Sequence, residues 1–151
     1  MFRGVNNINL DAKGRMAVPT RYRQPLYEAA NGSLVITINH SERCLWIMPI
    51  NEWLILENKV AQLPNMNSHA QRLQRILIGH ATEVDMDKSG RLLIPPPLRD
   101  FAGLDKHVVL VGQVNKFELW SEPVWNDRRD QWLAEEFKDD TLPIDLESLS
   151  L

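Results

Sequence analysis

Cysteine is nearly absent: Cys44 stands alone among 151 residues. No internal disulfide can form, and such usage fits a reducing compartment. Long apolar runs are missing too. No stretch approaches the roughly 20 residues that span a bilayer. The opening Met1-Phe2-Arg3-Gly4-Val5-Asn6-Asn7 turns polar before a signal-peptide core can develop. The expectation is an intracellular, cytoplasmic protein with no membrane partner. His40, His69, His80 and His107 are scattered, and no His or Cys pair has metal-ligand spacing. Neither a P-loop nor a dinucleotide fingerprint occurs. No Ser-His-Asp or Cys-His arrangement can be assembled. Cys44 lies in an apolar segment and reads as core, and His80 reads as structural. These gaps predict no catalytic residue, no metal, no cofactor and no small-molecule substrate.

An overall positive charge is also lacking, since the formal net charge is −3. Its distribution matters more. Residues 126–151 carry eight acids and three bases, so the rest of the chain is slightly basic. In residues 1–23, Arg3, Lys13, Arg15, Arg21 and Arg23 face one acid, Asp11. Nucleic acid responds to a local basic patch rather than to the chain total. Hydrophobic residues at 44% and charged residues at 25% are ordinary globular values.

What is present is a repeat. Ile8-Asn-Leu-Asp-Ala-Lys-Gly-Arg-Met-Ala-Val-Pro19 matches Val84-Asp-Met-Asp-Lys-Ser-Gly-Arg-Leu-Leu-Ile-Pro95, 76 residues later. Arg23 then pairs with Arg99. Further on, Leu45-Trp46-Ile47 echoes Phe117-Glu118-Leu119, and Trp53 echoes Trp125, at an offset of 72. A length difference in one loop is the expected reconciliation.

Each copy predicts a short strand (5–10; 81–86), a turn and a second strand (15–18; 91–94). Asp11 and Asp87 suit the first position of a type I turn, and Gly14 and Gly90 the fourth. Pro19 and Pro95 sit where a helix begins. Pro25 is expected to break the first helix after about two turns, and Pro95-Pro96-Pro97 permits a short second helix ending near Gly103. A strand pair closes each copy (33–39 with 44–48; 107–113 with 116–120). Helices are predicted over 52–63, over 68–78 and after Ser121. The tryptophans lie on apolar stripes and read as packing residues.

A turn needs nothing basic after its glycine, yet both copies place arginine there. Arg15 and Arg91, with Lys13 and Lys88 on the turns, suit phosphate oxygens or guanine edges. An Asp11–Arg15 or Asp87–Arg91 ion pair could brace the turn and still aim the guanidinium at DNA.

Asp-x-x-Gly-Arg-x-x-(Val/Ile)-Pro followed by Arg23 or Arg99 resembles the AbrB/SpoVT swapped-hairpin DNA-binding family. Two such units with following helices, together with Arg72–Ala81 and Val114–Trp120, are similar to its MraZ branch. The resemblance implies an α+β fold in which two tandem swapped-hairpin units form a pseudo-dimeric β-barrel. It implies units at 1–50 and 80–121, a helical connector at 51–79, a C-terminal helix at 122–138 and an acidic mobile tail at 139–151. It implies DNA contact by Arg15, Arg91, Arg23 and Arg99, and Arg3 joins them as part of the first basic run. It further implies a homo-oligomeric ring that binds short G-rich repeats in its own promoter region and acts on the nucleoid, on the division and cell-wall gene cluster. The alternative is an antitoxin of the same superfamily that neutralises a toxin partner, with the acidic tail as its docking segment.

Overall fold

The computed structural model describes residues 1–135 and 146–149. The first unit contains β1 (Phe2–Asn9), β2 (Arg15–Ala17), α1 (Thr20–Ala30), β3 (Ser33–Ile38) and β4 (Leu45–Pro49). Two helices follow, α2 (Ile50–Ala61) and α3 (Ser68–Leu77). The second unit repeats the order with β5 (Thr82–Asp85), β6 (Arg91–Leu93), α4 (Pro96–Ala102), β7 (His107–Val114) and β8 (Phe117–Ser121). Helix α5 (Glu122–Ala134) comes next, and Leu146–Leu149 form a short 3-10 turn. The expected mobile tail at 139–151 lies mostly outside the described residues.

The architecture is α+β, and its strands pair across the repeat. The six-stranded sheet runs β1-β7-β8-β4-β3-β5, all antiparallel. The first strand of each unit bonds to the third strand of the other, with Phe2 opposite Val114 and Ser33 opposite Asp85. The fourth strands meet at the centre, Trp46 opposite Glu118. β2 and β6 bond to each other in a separate two-stranded ribbon. The expected barrel is therefore not formed among the described residues. β2 and β6 are taken up by their mutual ladder, so β1 and β5 remain open edges of the sheet.

Repeat-related positions fill one shared core. Leu10 and Met86, Met16 and Leu92, Val18 and Ile94, Tyr22 and Leu98, and Leu26 and Ala102 are all buried in a single cluster with Leu34, Leu110, Phe117 and Leu119. Burying a large aliphatic side chain stabilises by about 1.5–3 kcal/mol, and here each unit obtains much of that from the other. Val35, Met48, Trp53, Val60 and Leu77 form a second cluster that seats α2 and α3 on the sheet. Trp120, Trp125 and Trp132 meet edge to face, with centroids 5.7–5.9 Å apart, and hold α5 beside the buried Cys44. Burial pushes the Cys44 thiol pKa up, so the residue is an apolar filler.

Two expectations fail on local grounds. Pro25 does not break α1, which runs through it to Ala30. A proline at this position forfeits one amide bond, to the Arg21 carbonyl, and it sits on the exposed face where water can serve that oxygen. The offset change does not come from one loop either. α1 has 11 residues and α4 has 7. The α4–β7 connection is longer than the α1–β3 one, and the β3–β4 loop is longer than the β7–β8 loop.

Candidate nucleic-acid interface

Both Asp-x-x-Gly-Arg segments build the same object. The Gly14 amide donates to the Asp11 carbonyl at 3.0 Å, and Gly90 to Asp87 at 2.9 Å. The glycines have φ of +82° and +77°, a region that costs other residues roughly 1–2 kcal/mol. Asp11 Oδ1 accepts from the Lys13 and Arg15 amides, both at 2.9 Å. Asp87 Oδ1 accepts from Ser89 at 2.9 Å and Arg91 at 2.8 Å. The bonds from the Arg15 and Arg91 amides are the foremost reason that each carboxyl stays below the usual aspartate range.

The second carboxylate oxygen holds the arginine. Arg15 Nε donates to Asp11 Oδ2 at 2.9 Å, and Arg91 Nε to Asp87 Oδ2 at 3.2 Å. The Arg15 and Arg91 side chains are 33% and 43% exposed, so each pair is solvated and adds little to stability. Its effect is on direction, because the bond occupies Nε rather than the two terminal amines.

The β2–β6 ribbon brings the two arginines together. Met16 pairs with Leu92, both 1% exposed, so this pair points into the core. Strand alternation turns the flanking pairs, Arg15 with Leu93 and Ala17 with Arg91, to the outer face. Arg15 and Arg91 are diagonal neighbours there, about 7–8 Å apart at the backbone. Lys13 and Lys88 stand exposed on the turns at either end, one on the third turn position and one on the second.

Arg23 and Arg99 are placed differently. Each packs on the turn of the other unit: a Cβ on Gly90 would lie 2.2 Å from Arg23 Nε, and one on Gly14 would lie 2.4 Å from Arg99 Cζ. The glycines thus make room for arginine as well as for the turn. Arg23 Nε donates to the Val18 carbonyl at 2.7 Å. Arg99 Nε is buried with no hydrogen-bond partner among the described residues. Backbone bonds cross the same junction, from Val18 to the Gly90 carbonyl at 2.8 Å and from Ile94 to the Gly14 carbonyl at 3.0 Å.

Arg3 is not brought to this cluster. It lies near the start of β1, opposite Gln113, roughly 25 Å along the strand from the first turn. Arg21, in the same basic run, bonds to Asn6 and to the Tyr22 hydroxyl. Lys106 was missed by the sequence reading. Its carbonyl accepts from the Leu10 amide at 2.8 Å, just as the Gly32 carbonyl accepts from Met86, so its counterpart in the repeat is a glycine and carries no charge to match.

A family model described as "MraZ protein, putative antitoxin-like" matches residues 1–76 and again 77–142. The chain belongs to the MraZ family. The chain is 56% identical over 151 residues to the transcriptional regulator MraZ of Thioalkalivibrio sulfidiphilus, covering all of both chains. It is 55% identical to the protein of that name from Coxiella burnetii, again over the whole of both. The Methylococcus capsulatus relative is 56% identical over 135 residues, 89% of this chain and 88% of its own. The two matched segments of the MraZ model each contain one Asp-x-x-Gly-Arg turn. Among the described residues no helix is long and apolar enough to cross a membrane.

Proposed function

We propose that the chain is a sequence-specific, DNA-binding transcriptional regulator that represses its own operon and the division and cell-wall gene cluster, rather than an enzyme. The observation that carries this reading is the outer face of the β2–β6 ribbon, where Arg15 and Arg91 stand side by side, each aimed by its own aspartate. A two-stranded ribbon fits the DNA major groove, about 12 Å wide, and arginine terminal amines match the N7 and O6 edge of guanine. Short G-rich repeats in the chain's own promoter region are the corresponding target. Lys13 and Lys88 reach flanking phosphates, and Arg23 and Arg99 act from the two turn junctions.

In this reading the crossed strand pairing is an exchange of hairpins between tandem units at 1–50 and 80–121, with a connector at 51–79 and α5 as the C-terminal helix. Arg3 is left for contacts away from the ribbon. Copies assemble into a ring on the nucleoid, in the cytoplasm. One ribbon contacts few phosphates and binds weakly at cellular salt. Several on one ring raise avidity by about 10²–10⁴ when their spacing matches that of the DNA repeats.

Footprinting on the DNA upstream of the chain's own gene tests the proposal. The wild type is expected to protect regularly spaced short repeats, and the double variant Arg15→Ala, Arg91→Ala to lose that protection while keeping its fold and oligomer. Unchanged protection by the variant overturns it. The wording of the family description favours one other reading, an antitoxin of the same fold. Co-purification of a small nuclease, with no footprint, would select it.

A further inference from the structure

The two turns are equivalent in sequence but not in surroundings. Beside the second turn, the space is closed. Gly32 has no side chain, and a Cβ there would lie 2.9 Å from the Tyr27 ring. The Tyr27 hydroxyl donates to the Asp87 carbonyl at 2.5 Å, which seats the ring against the turn. Tyr27 belongs to the extra length of α1, for which the shorter α4 has no equivalent.

Beside the first turn the same place is open. A cleft of about 470 Å³ is lined by Leu10, Asp11, Gly14, Arg99, Asp105 and Lys106. Lys106 stands where the second turn has Gly32, as the matching carbonyl bonds show. Arg99 lies against Gly14 with its Nε buried and unpartnered, whereas Arg23 is tied to the Val18 carbonyl. Of the two acids, Asp11 is already engaged by the Lys13 and Arg15 amides and by Arg15 Nε. Among the described residues of the lining, Asp105 is the acid that remains against the two cations.

We infer that this cleft holds a DNA backbone phosphate between Arg99 and Lys106, so that the first turn makes a phosphate contact the second cannot. The inference rests on the DNA-binding reading of the ribbon. It makes the ribbon polar: Arg15 is clamped on its flank, and Arg91 is not. Both clamping cations come from the second repeat, so the stronger half of the interface is built by the unit that does not supply its turn.

The test is DNA affinity against salt concentration, from 50 to 200 mM, on the duplex upstream of the chain's own gene. Wild type is compared with Lys106→Ala, with Lys59→Ala as an exposed lysine far from the ribbon, and with the double variant Arg15→Ala, Arg91→Ala. Each phosphate contact contributes about 0.9 to the slope of log affinity against log salt. Lys106→Ala is expected to flatten the slope by about that amount per engaged chain, with Lys59→Ala unchanged. Wild-type binding with equal slopes for both lysine variants overturns the phosphate seat and leaves the ribbon reading standing. Normal binding by the double variant, or no binding by the wild type, overturns the ribbon reading and the phosphate seat with it.

Discussion

Replacing Gly14 or Gly90 with alanine separates the two turns by stability rather than by binding. Both positions have positive φ, so either change costs about 1–2 kcal/mol in backbone strain. The new methyl group then meets an arginine. At Gly14 it meets the guanidinium end of Arg99, at 2.4–2.6 Å, and that end can swing away, since its Nε has no bond to lose. At Gly90 it meets Arg23 Nε at 2.2 Å and Cδ at 2.5 Å, so moving the side chain breaks the 2.7 Å bond to the Val18 carbonyl. That bond adds about 0.5–1.5 kcal/mol. Gly90→Ala is therefore expected to lose about 1 kcal/mol more than Gly14→Ala, which for a chain of this size is about 2–4 °C in Tm. The assay is calorimetry at one fixed protein concentration, because self-association shifts the midpoint. Adding Arg23→Ala to Gly90→Ala should cost less than the sum of the two single changes, since the clash and the bond share one side chain. Equal losses at the two glycines would refute the reasoning, and so would a larger loss at Gly14.

Other expectations follow from the same contacts. Asp11 and Asp87 have lowered pKa values, so their stabilising contribution is present above the ordinary value of 3.8 and is lost as pH falls through the lower folded values. Unfolding midpoints of the Asp11→Asn, Asp87→Asn double variant should therefore depend less on pH below about 4 than those of the wild type. Trp120→Ala empties the contact shared by Trp125 and Trp132 and should cost about 3–5 kcal/mol, read as the largest thermal shift among these variants.

The hairpin turns were legible because their chemistry is local. Asp at the first position and Gly at the fourth determine the reversal within five residues, and the arginine that follows could be singled out since a turn does not require it. The pairings of β3 with β4 and of β7 with β8 were legible as local hairpins, whereas the pairings across the repeat were not. Val5 and Val109 are strand residues in any arrangement, and alternation says which face is buried without saying which strand lies alongside. The resemblance to known swapped-hairpin proteins supplied the barrel expectation, and the open edges at β1 and β5 correct it. Pro25 was misjudged because its cost depends on which carbonyl loses a donor and on whether water reaches it. Arg23 and Arg99 could be found from the repeat, yet their contact with the opposite glycines depends on strands far apart in sequence. Lys106 shows the reverse limit: it stands where the other repeat has Gly32, so no match in the sequence marks it.

The crossed pairing also bears on the order in which the chain can fold. During synthesis β1 emerges first, but its ladder partner, β7, follows about a hundred residues later. β2 likewise waits for β6, while β3 and β4 can join as soon as they are made. β2, which carries Arg15, therefore has no ladder partner until β6 is made, and β1 has none until β7, late in the second unit. Contacts so distant in sequence slow folding. A nascent chain that stalls before Arg91 holds a core strand pair and a hairpin without its partner strands, which β6 and β7 of a finished copy could complete. The linkage of the two repeats in one polypeptide places the correct partner strand on the same chain, at high effective concentration, before such an exchange between copies can occur.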